Sequence, residues 1–436
     1  MAADSSYMQR LAGRIRFGLI DLVRGTRSLA LLRELEAIQF ESPASLRARQ
    51  LALLDEYAAL VRRASPLYRR YASFAQFPVI DKAFANANRA GLENPLYHGK
   101  LVRKKTGGST GEPFVYVTGV QAQSHLWAAI LLSWTVAGYR LGEPVAFVAG
   151  TALFGTGWRQ KVYYALMNVH LFSAFDMSAA RMGAYCDAIA RTRCRLLYGY
   201  ASAIHQLARH VLASPAHPAR PRFALRGVVC TAEVLSTAMR ADIAQAFDVP
   251  CFSQYGCNDA GVSAFECERG DGFHLITQRC FHEVALGGRF IATDLANDAF
   301  FLPRYDTGDL VEMAEGPCPC GRGFPLIRSV AGRANDMVRD CAGNAVHSEF
   351  FTHLFREDRR IAAFQVIYDE RNLLVIVHCA DPAFSHPPYL ERIAAALRFD
   401  AVGFAVNQPF VSIKNGKHRF VMQVENVRTA LDQTVV

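Results

Sequence analysis

Apolar residues recur at three- and four-residue spacing through positions 1–101, as in Leu29-Ala30-Leu31-Leu32-Arg33-Glu34-Leu35 and Leu51-Ala52-Leu53-Leu54-Asp55-Glu56-Tyr57-Ala58-Ala59-Leu60. That period buries one face of a helix, so the stretch reads as a helical preface. Pro78-Val79-Ile80 interrupts it with a short extended segment, and Asp81 is placed to cap the helix that follows. The longest apolar run, Leu126 to Ala137, is too short to cross a bilayer and predicts a buried helix. From Thr106 to Tyr305 the pattern changes. Strand-like runs such as Val145-Ala146-Phe147-Val148, Leu225-Arg226-Gly227-Val228-Val229 and Val249-Pro250-Cys251-Phe252 alternate with helical ones, Ala201 to Leu212 and Ser236 to Phe247. Alternation of this kind predicts a sheet with helices on its faces.

After Gly332-Arg333 the order becomes strand, strand, helix, strand: Phe364 to Tyr368, Leu373 to His378, Tyr389 to Leu397 and Phe410 to Lys414. The expected fold class is therefore α/β. A large N-terminal domain covers residues 1–334, and a small, mobile α+β domain covers 335–436.

Composition narrows this little. With 436 residues, 51% hydrophobic and 20% charged, the chain is globular. Its first residues, Met1-Ala2-Ala3-Asp4-Ser5-Ser6, lack the charged-then-apolar order of a secretory signal, so a cytoplasmic protein is expected. The 11 cysteines are then thiols or metal ligands. A net charge of +9 suits nucleic acid, an anionic membrane or acidic small molecules. The arginines are spread along the chain rather than set in an aromatic-studded stripe, so no nucleic acid is expected. The basic, amphipathic Arg10 to Ile20 fits a membrane surface or, preferentially, packing on the main body. The oligomeric state is open, a homodimer included.

The densest candidate chemistry is Lys104-Lys105-Thr106-Gly107-Gly108-Ser109-Thr110-Gly111-Glu112-Pro113-Phe114. Its glycines permit φ > 0 and a close backbone approach, and its hydroxyls add donors, so it reads as an anion cradle, with an unliganded hairpin as the alternative. Glu112 excludes a Walker P-loop. Four further stretches follow in order: Val228-Val229-Cys230-Thr231-Ala232-Glu233, Gln254-Tyr255-Gly256-Cys257-Asn258-Asp259, Arg304-Tyr305-Asp306-Thr307-Gly308-Asp309-Leu310 and Gly416-Lys417-His418-Arg419.

Together these five stretches resemble the adenylate-forming superfamily, and most closely its phenylacetate–CoA ligase-like, CapK-like branch. The resemblance implies roles residue by residue. Thr106, Gly107, Gly108, Ser109, Thr110 and Gly111 would hold the β- and γ-phosphates of ATP. Ala232 and Glu233 would flank adenine, Tyr255 and Gly256 would lie against its face, and Asp259 would position Mg²⁺. Asp309 would accept from the ribose hydroxyls, and Arg333 would lie near ribose and phosphate. Lys417 would reach from the small domain to the α-phosphate. Attack of a carboxylate on a phosphate brings two anions together, which is why the site needs cations and oriented donors. Phe114 in place of a lysine after Pro113, and Asp259 in place of a glutamate, depart from the usual pattern.

Cys267 and His274, with the Cys318-Pro319-Cys320 pair, supply a Cys₃His set that could hold a structural Zn²⁺; buried thiols and a strand histidine are the alternative. Cys257, Cys280 and Cys341 read as packing residues. Phe154, Trp158, Tyr198, Tyr200 and Phe252 are candidates for an acid pocket, with plain core as the alternative.

The resemblance implies an ATP-dependent ligase that adenylates a small-molecule carboxylic acid, of aryl or aryl-acetyl type. It would pass the acyl group to the thiol of coenzyme A or the phosphopantetheine of an acyl carrier protein. An amine or alcohol acceptor, or a non-catalytic nucleotide-binding assembly protein, remain alternatives.

Overall fold

The computed structural model describes residues 2–105, 114–149, 157–174, 177–213, 223–333 and 337–432, the last span without 343–344, 348–350, 352–353, 356–357, 359 and 412–419. The chain forms two compact units, Met1–Val330 and Ala331–Val436.

The preface consists of helices α1 (Ala2–Arg24), α2 (Ser28–Ile38), α3 (Pro43–Ala64), α4 (Lys82–Ala87) and α5 (Arg89–Leu92). The residues that carry the helical period are the ones buried: Leu31, Leu32, Leu35 and Ile38 of α2, and Leu54, Tyr57 and Val61 of α3. The Ser42 hydroxyl accepts from Ser45 N at the start of α3, and Asp81 accepts from Phe84 N at 2.8 Å, the cap expected of it. α1 docks on the body through Gly13, Phe17 and Ile20. A Cβ on Gly13 would lie 2.6 Å from the Gly142 Cα, so only glycine permits this approach, and Arg16 donates to the Gly142 carbonyl at 3.1 Å.

The hairpin β1 (Val102–Lys105) and β2 (Val115–Thr118) leads into α6 (Val120–Val136), which carries the long apolar run and buries Leu131, Leu132 and Trp134. There follow β3 (Val145–Ala149), α7 (Trp158–Leu166), β4 (Val169–Ser173), α8 (Ala179–Arg191), β5 (Leu196–Tyr200), α9 (Ala201–Ala213), β6 (Gly227–Thr231), α10 (Thr237–Phe247), β7 (Cys251–Cys257), β8 (Val262–Glu266), β9 (Phe273–Leu275), β10 (Cys280–Val284), β11 (Arg289–Asp294), β12 (Tyr305–Met313) and β13 (Leu326–Arg333).

Among the described residues, eleven of these strands make one sheet in the order β10-β11-β12-β13-β9-β8-β7-β6-β5-β3-β4. Strands β4, β3, β5, β6 and β7 run parallel, and β8 turns antiparallel to β7. The central parallel strands β3 and β5 are buried along their whole length, as strands covered by helices on both faces must be. Their core joins Val148, Leu197 and Val228 to Trp134 of α6 and Leu207 of α9. A second core under β10–β12 gathers Tyr57, Phe114, Tyr116, Phe290 and Phe300.

The second unit contains the hairpin β14 (Met337–Arg339) and β15 (Ala345–His347), then β16 (Ile361–Tyr368), β17 (Asn372–Cys379), α11 (Pro387–Ala396), β18 (Ala401–Val406), β19 (Val421–Gln423) and α12 (Val427–Asp432). Its sheet has the order β18-β17-β16-β19, and Phe364, Val366, Val375 and Ile393 fill its core. The strand after the helix is Ala401–Val406, which pairs parallel with β17 along its whole length; of the run expected there, Phe410 stacks its ring on His378 at 4.1 Å and is not in a strand, and residues 412–414 lie outside the described residues. Among the described residues, no helix is long and apolar enough to cross a membrane.

Candidate active site

Ligands of open α/β sheets bind beyond the carboxyl ends of the parallel strands. β6 ends at Thr231, and the chain turns at Ala232 with φ +66°. A non-glycine residue held there costs about 1–3 kcal/mol, the kind of strain that collects at functional turns. Glu233 then reaches back to the β5–α9 junction, its Oε2 accepting from Ser202 N at 2.7 Å. β7 is paired beside β6, with Thr231 opposite Gln254, so Tyr255 and Gly256 emerge next to Ala232.

The Tyr255 hydroxyl donates to Asp309 Oδ2 at 2.6 Å. Asp309 is available because β12 bulges: Arg289 faces Leu310 but Ile291 faces Asp306, which leaves residues 307–309 out of the ladder. Gly308 takes φ +76° there, its N–H donates to Asp306 Oδ1 at 3.0 Å, and Asp309 N–H donates to Thr307 Oγ1 at 3.1 Å. Arg289 pairs with Asp306 and holds the base of the turn. Burial, and then the Asp309 carboxylate, raises the Tyr255 phenol well above its usual pKa, so it stays a donor.

Just beyond β7, Asp259 is 9% exposed and accepts from Cys257 Sγ at 2.9 Å. Its neighbour Asn258 is held from two sides, donating to Tyr116 OH at 3.1 Å and receiving Arg279 at 3.0 Å. Arg279 is itself buried and pairs with buried Asp294 at 2.9 Å. Lys104, at the end of β1 and opposite Tyr116, is lowered to about 8 by burial and by Arg24 and Arg279. Arg279, Asn258 and Tyr116 position the end of β7, and sequence reasoning missed them. Cys280 is buried and Cys257 packs against the second core, as expected, while its thiol also donates to Asp259; Cys341 instead is exposed, with its thiol directed at the Arg398 carbonyl.

Cys267, His274, Cys318 and Cys320 converge, their ligand atoms all within 4.8 Å of one another. A tetrahedral zinc with the usual bond lengths implies about 3.8 Å between sulfurs and about 3.5 Å from sulfur to nitrogen. Cys267 and Cys318 lie 3.8 Å apart, and Cys320 lies 3.3 Å from His274 Nε2. Backbone N–H groups of Arg269 and Arg322 point at the Cys267 and Cys320 sulfurs, as around metal-bound thiolates. Burial raises the Cys320 thiol, but hydrogen bonds from Arg322 and the neighbouring thiols outweigh it and hold the group below its usual value. The donor set fits zinc, and β8, β9 and the 314–324 loop deliver it.

No family profile matches the chain. Protein CapK of Staphylococcus aureus is 26% identical over 247 residues, 55% of this chain and 54% of that protein. The chain thus spans about half the length of this curated relative. A 2-hydroxyisobutyryl-CoA ligase in its postadenylation state, in complex with R3-HIB-AMP, superposes with TM-score 0.66 at 17% identity over 88% of this chain and 90% of that one. The chain has the fold of the adenylate-forming ligases. An amide bond synthetase, McbA of Marinactinospora thermotolerans, shares it at TM-score 0.51 and 16% identity over 75% of this chain and 68% of that one.

On this adenylate-forming fold, Ala232, Glu233, Tyr255, Gly256 and Asp259 stand at the neighbouring ends of β6 and β7, and Asp309 stands in the β12 bulge that Tyr255 reaches. Thr106, Gly107, Gly108, Ser109, Thr110, Gly111 and Lys417 lie outside the described residues. The backbone of Arg333 closes β13, and its side chain is likewise outside the described set. For the aromatic candidates for an acid pocket, the alternative of plain core holds for three of the five. Trp158 is 70% exposed on α7, Phe154 is outside the described residues, and Tyr198, Tyr200 and Phe252 belong to the central core. Tyr198 spends its hydroxyl on Gln254 at 3.0 Å and packs its ring on Phe147 and Trp134. Consecutive parallel strands covered on both faces turn such rings into the core, whatever lies beyond their ends.

Proposed function

We propose that this protein is an ATP-dependent ligase that activates a carboxylic acid as its acyl-adenylate and transfers the acyl group to a thiol. The supporting observation is the convergence of the β6 and β7 ends with the β12 bulge, tied by the Tyr255–Asp309 hydrogen bond. Tyr255 presents its ring to adenine while its hydroxyl orients Asp309 toward the ribose, and the Ala232-Glu233 turn closes the base edge. Asp259 would hold Mg²⁺; a single buried carboxylate suits an ion that takes its other ligands from phosphates and water. When bound, the ion neutralises charge on the phosphates. The Cys₃His cluster would hold zinc in a structural role.

In the first step an acid oxygen attacks the α-phosphorus, and the bond to the β-phosphate breaks, releasing pyrophosphate. In the second, the thiolate of coenzyme A or a carrier's phosphopantetheine attacks the acyl carbon. The bond to AMP breaks, and the thiol proton leaves to solvent. Lys417 serves the first step by stabilising charge on the α-phosphate and the acid, from a small domain, residues 335–436, that moves between the two steps. An aryl or aryl-acetyl acid is the class to try first, and a cytoplasmic location accords with a reaction that uses ATP and coenzyme A.

Pyrophosphate release from ATP, Mg²⁺ and a panel of acids tests the reading. Release with at least one acid is expected, followed by a thioester detected by mass spectrometry when coenzyme A or carrier protein is added. An amide or ester in its place would shift the acceptor to an amine or alcohol. ATP binding with no release for any acid would sink the enzyme reading. Lys417→Ala should slow release about 10²–10³-fold while leaving thioester formation from synthetic acyl-adenylate nearly intact.

A further inference from the structure

α1 is fixed on the body by the face that carries Gly13, Phe17 and Ile20, so its other face has no choice but to point outward. That outer face is not polar. Leu11, Ile15, Leu19 and Leu22 follow one another at helical spacing and are 40%, 64%, 49% and 78% exposed. The neighbouring α7 adds Trp158 and Val162, one turn apart and 70% and 49% exposed. The two helices touch where the Arg24 guanidinium lies over the Tyr163 ring at 4.9 Å. With Val23, 66% exposed, seven of the seventeen exposed large apolar side chains of the described residues thus sit on this one pair of helices. Single exposed leucines are ordinary, but a cluster of this kind marks a surface that meets something.

The charges beside it choose the partner. Arg14 on α1, and Arg159 and Lys161 on α7, are exposed, and Lys100 donates to the Val23 carbonyl at the end of α1. The one acid of α1 between residues 11 and 24, Asp21, is turned inward to Thr26 Oγ1 and Leu29 N, and α7 has none. A second copy of the same chain would bring cations against cations. An apolar strip that includes a tryptophan and is edged mainly by arginine and lysine, with Glu36 of α2 the acid near Arg14, matches the boundary of an anionic bilayer, where the apolar side chains enter the acyl region and the cations meet phosphates.

We propose that α1 and α7 form a peripheral docking face for anionic membranes. The face holds the protein flat on the lipid surface without crossing it. This inference rests on exposure, helix spacing and charge, and stands or falls independently of the ligase reading.

The test is co-sedimentation of the full chain with vesicles of phosphatidylcholine alone or with about 30% phosphatidylglycerol. Binding is expected to be at least about tenfold stronger to the anionic vesicles and to fall at about 0.5 M salt. Trp134 is buried and Trp127 partly so, so a blue shift of tryptophan emission on binding reports Trp158. Leu19→Glu and, on the other helix, Trp158→Ala should each weaken binding about tenfold with the melting midpoint unchanged. Agreement of the two variants guards against an effect on folding in either one. No preference for anionic vesicles overturns the proposal. So does a dimer in sedimentation analysis that Leu19→Glu converts to monomer without any vesicle binding, which would make the face a contact between copies.

Discussion

Tyr255 does two things with one side chain: its ring stands at the end of β7, and its hydroxyl holds the carboxylate of a different strand. A hydrogen bond to a charged acceptor is worth about 1.5–3 kcal/mol. Tyr255→Phe should therefore weaken AMP binding about tenfold or more by calorimetry with the fold retained, and unchanged affinity would refute the assigned geometry. Arg279 acts at one remove, through Asn258. Removing one partner of a buried pair strands the other charge, so Arg279→Met should cost about 3–5 kcal/mol in urea unfolding, and a loss below about 1 kcal/mol would show that Asp294 finds another partner. Tyr255, Asp259 and Asp309 were legible in the sequence because each lies in a short run of strand, glycine and acid. Arg279 was not, since nothing in Thr277-Gln278-Arg279-Cys280 separates a buried cation from a surface one; its partner is brought to it by the pairing of β10 with β11.

At the scale of elements, the Cys₃His cluster ties β8 and β9 to the 314–324 loop, and Leu326 packs behind it. The purified protein should contain one zinc per chain by elemental mass spectrometry. Chelation or Cys320→Ser should lower stability by about 3 kcal/mol or more, and metal-free protein of unchanged stability would return these residues to ordinary packing. The same scale shows where pattern reading fails. Helices with a clean apolar stripe, such as α2 and α3, and the continuous α6 were readable. The strand Ala401–Val406 was not, because its run is short, apolar and interrupted by Gly403. Whether such a run enters a sheet depends on the partner edge, which β17 supplies here.

Across the whole molecule, pH response follows from histidines that the fold keeps neutral. Burial, with Arg279 and Arg27 nearby, lowers His125 to about 3, and burial with Arg47 lowers His282 to about 4. Both values lie below the unfolded 6.5, so the unfolded chain binds more protons in between. The stability they contribute is present above about 6.5 and is lost as pH falls toward 4; urea unfolding across that range should show the decline, and a flat profile would contradict it. His282→Gln should make the decline shallower.

The sequence by itself determined the α/β class, the helical preface and the ordered motifs, because each rests on local period or on adjacent residues. Tertiary structure alone decided that the candidate acid-pocket aromatics of β5 and β7 are core, that Cys267, His274, Cys318 and Cys320 from separate segments meet, and that the outer stripe of α1 faces solvent. Those outcomes depend on which surfaces meet, and a one-dimensional pattern does not encode a contact between residues 13 and 142.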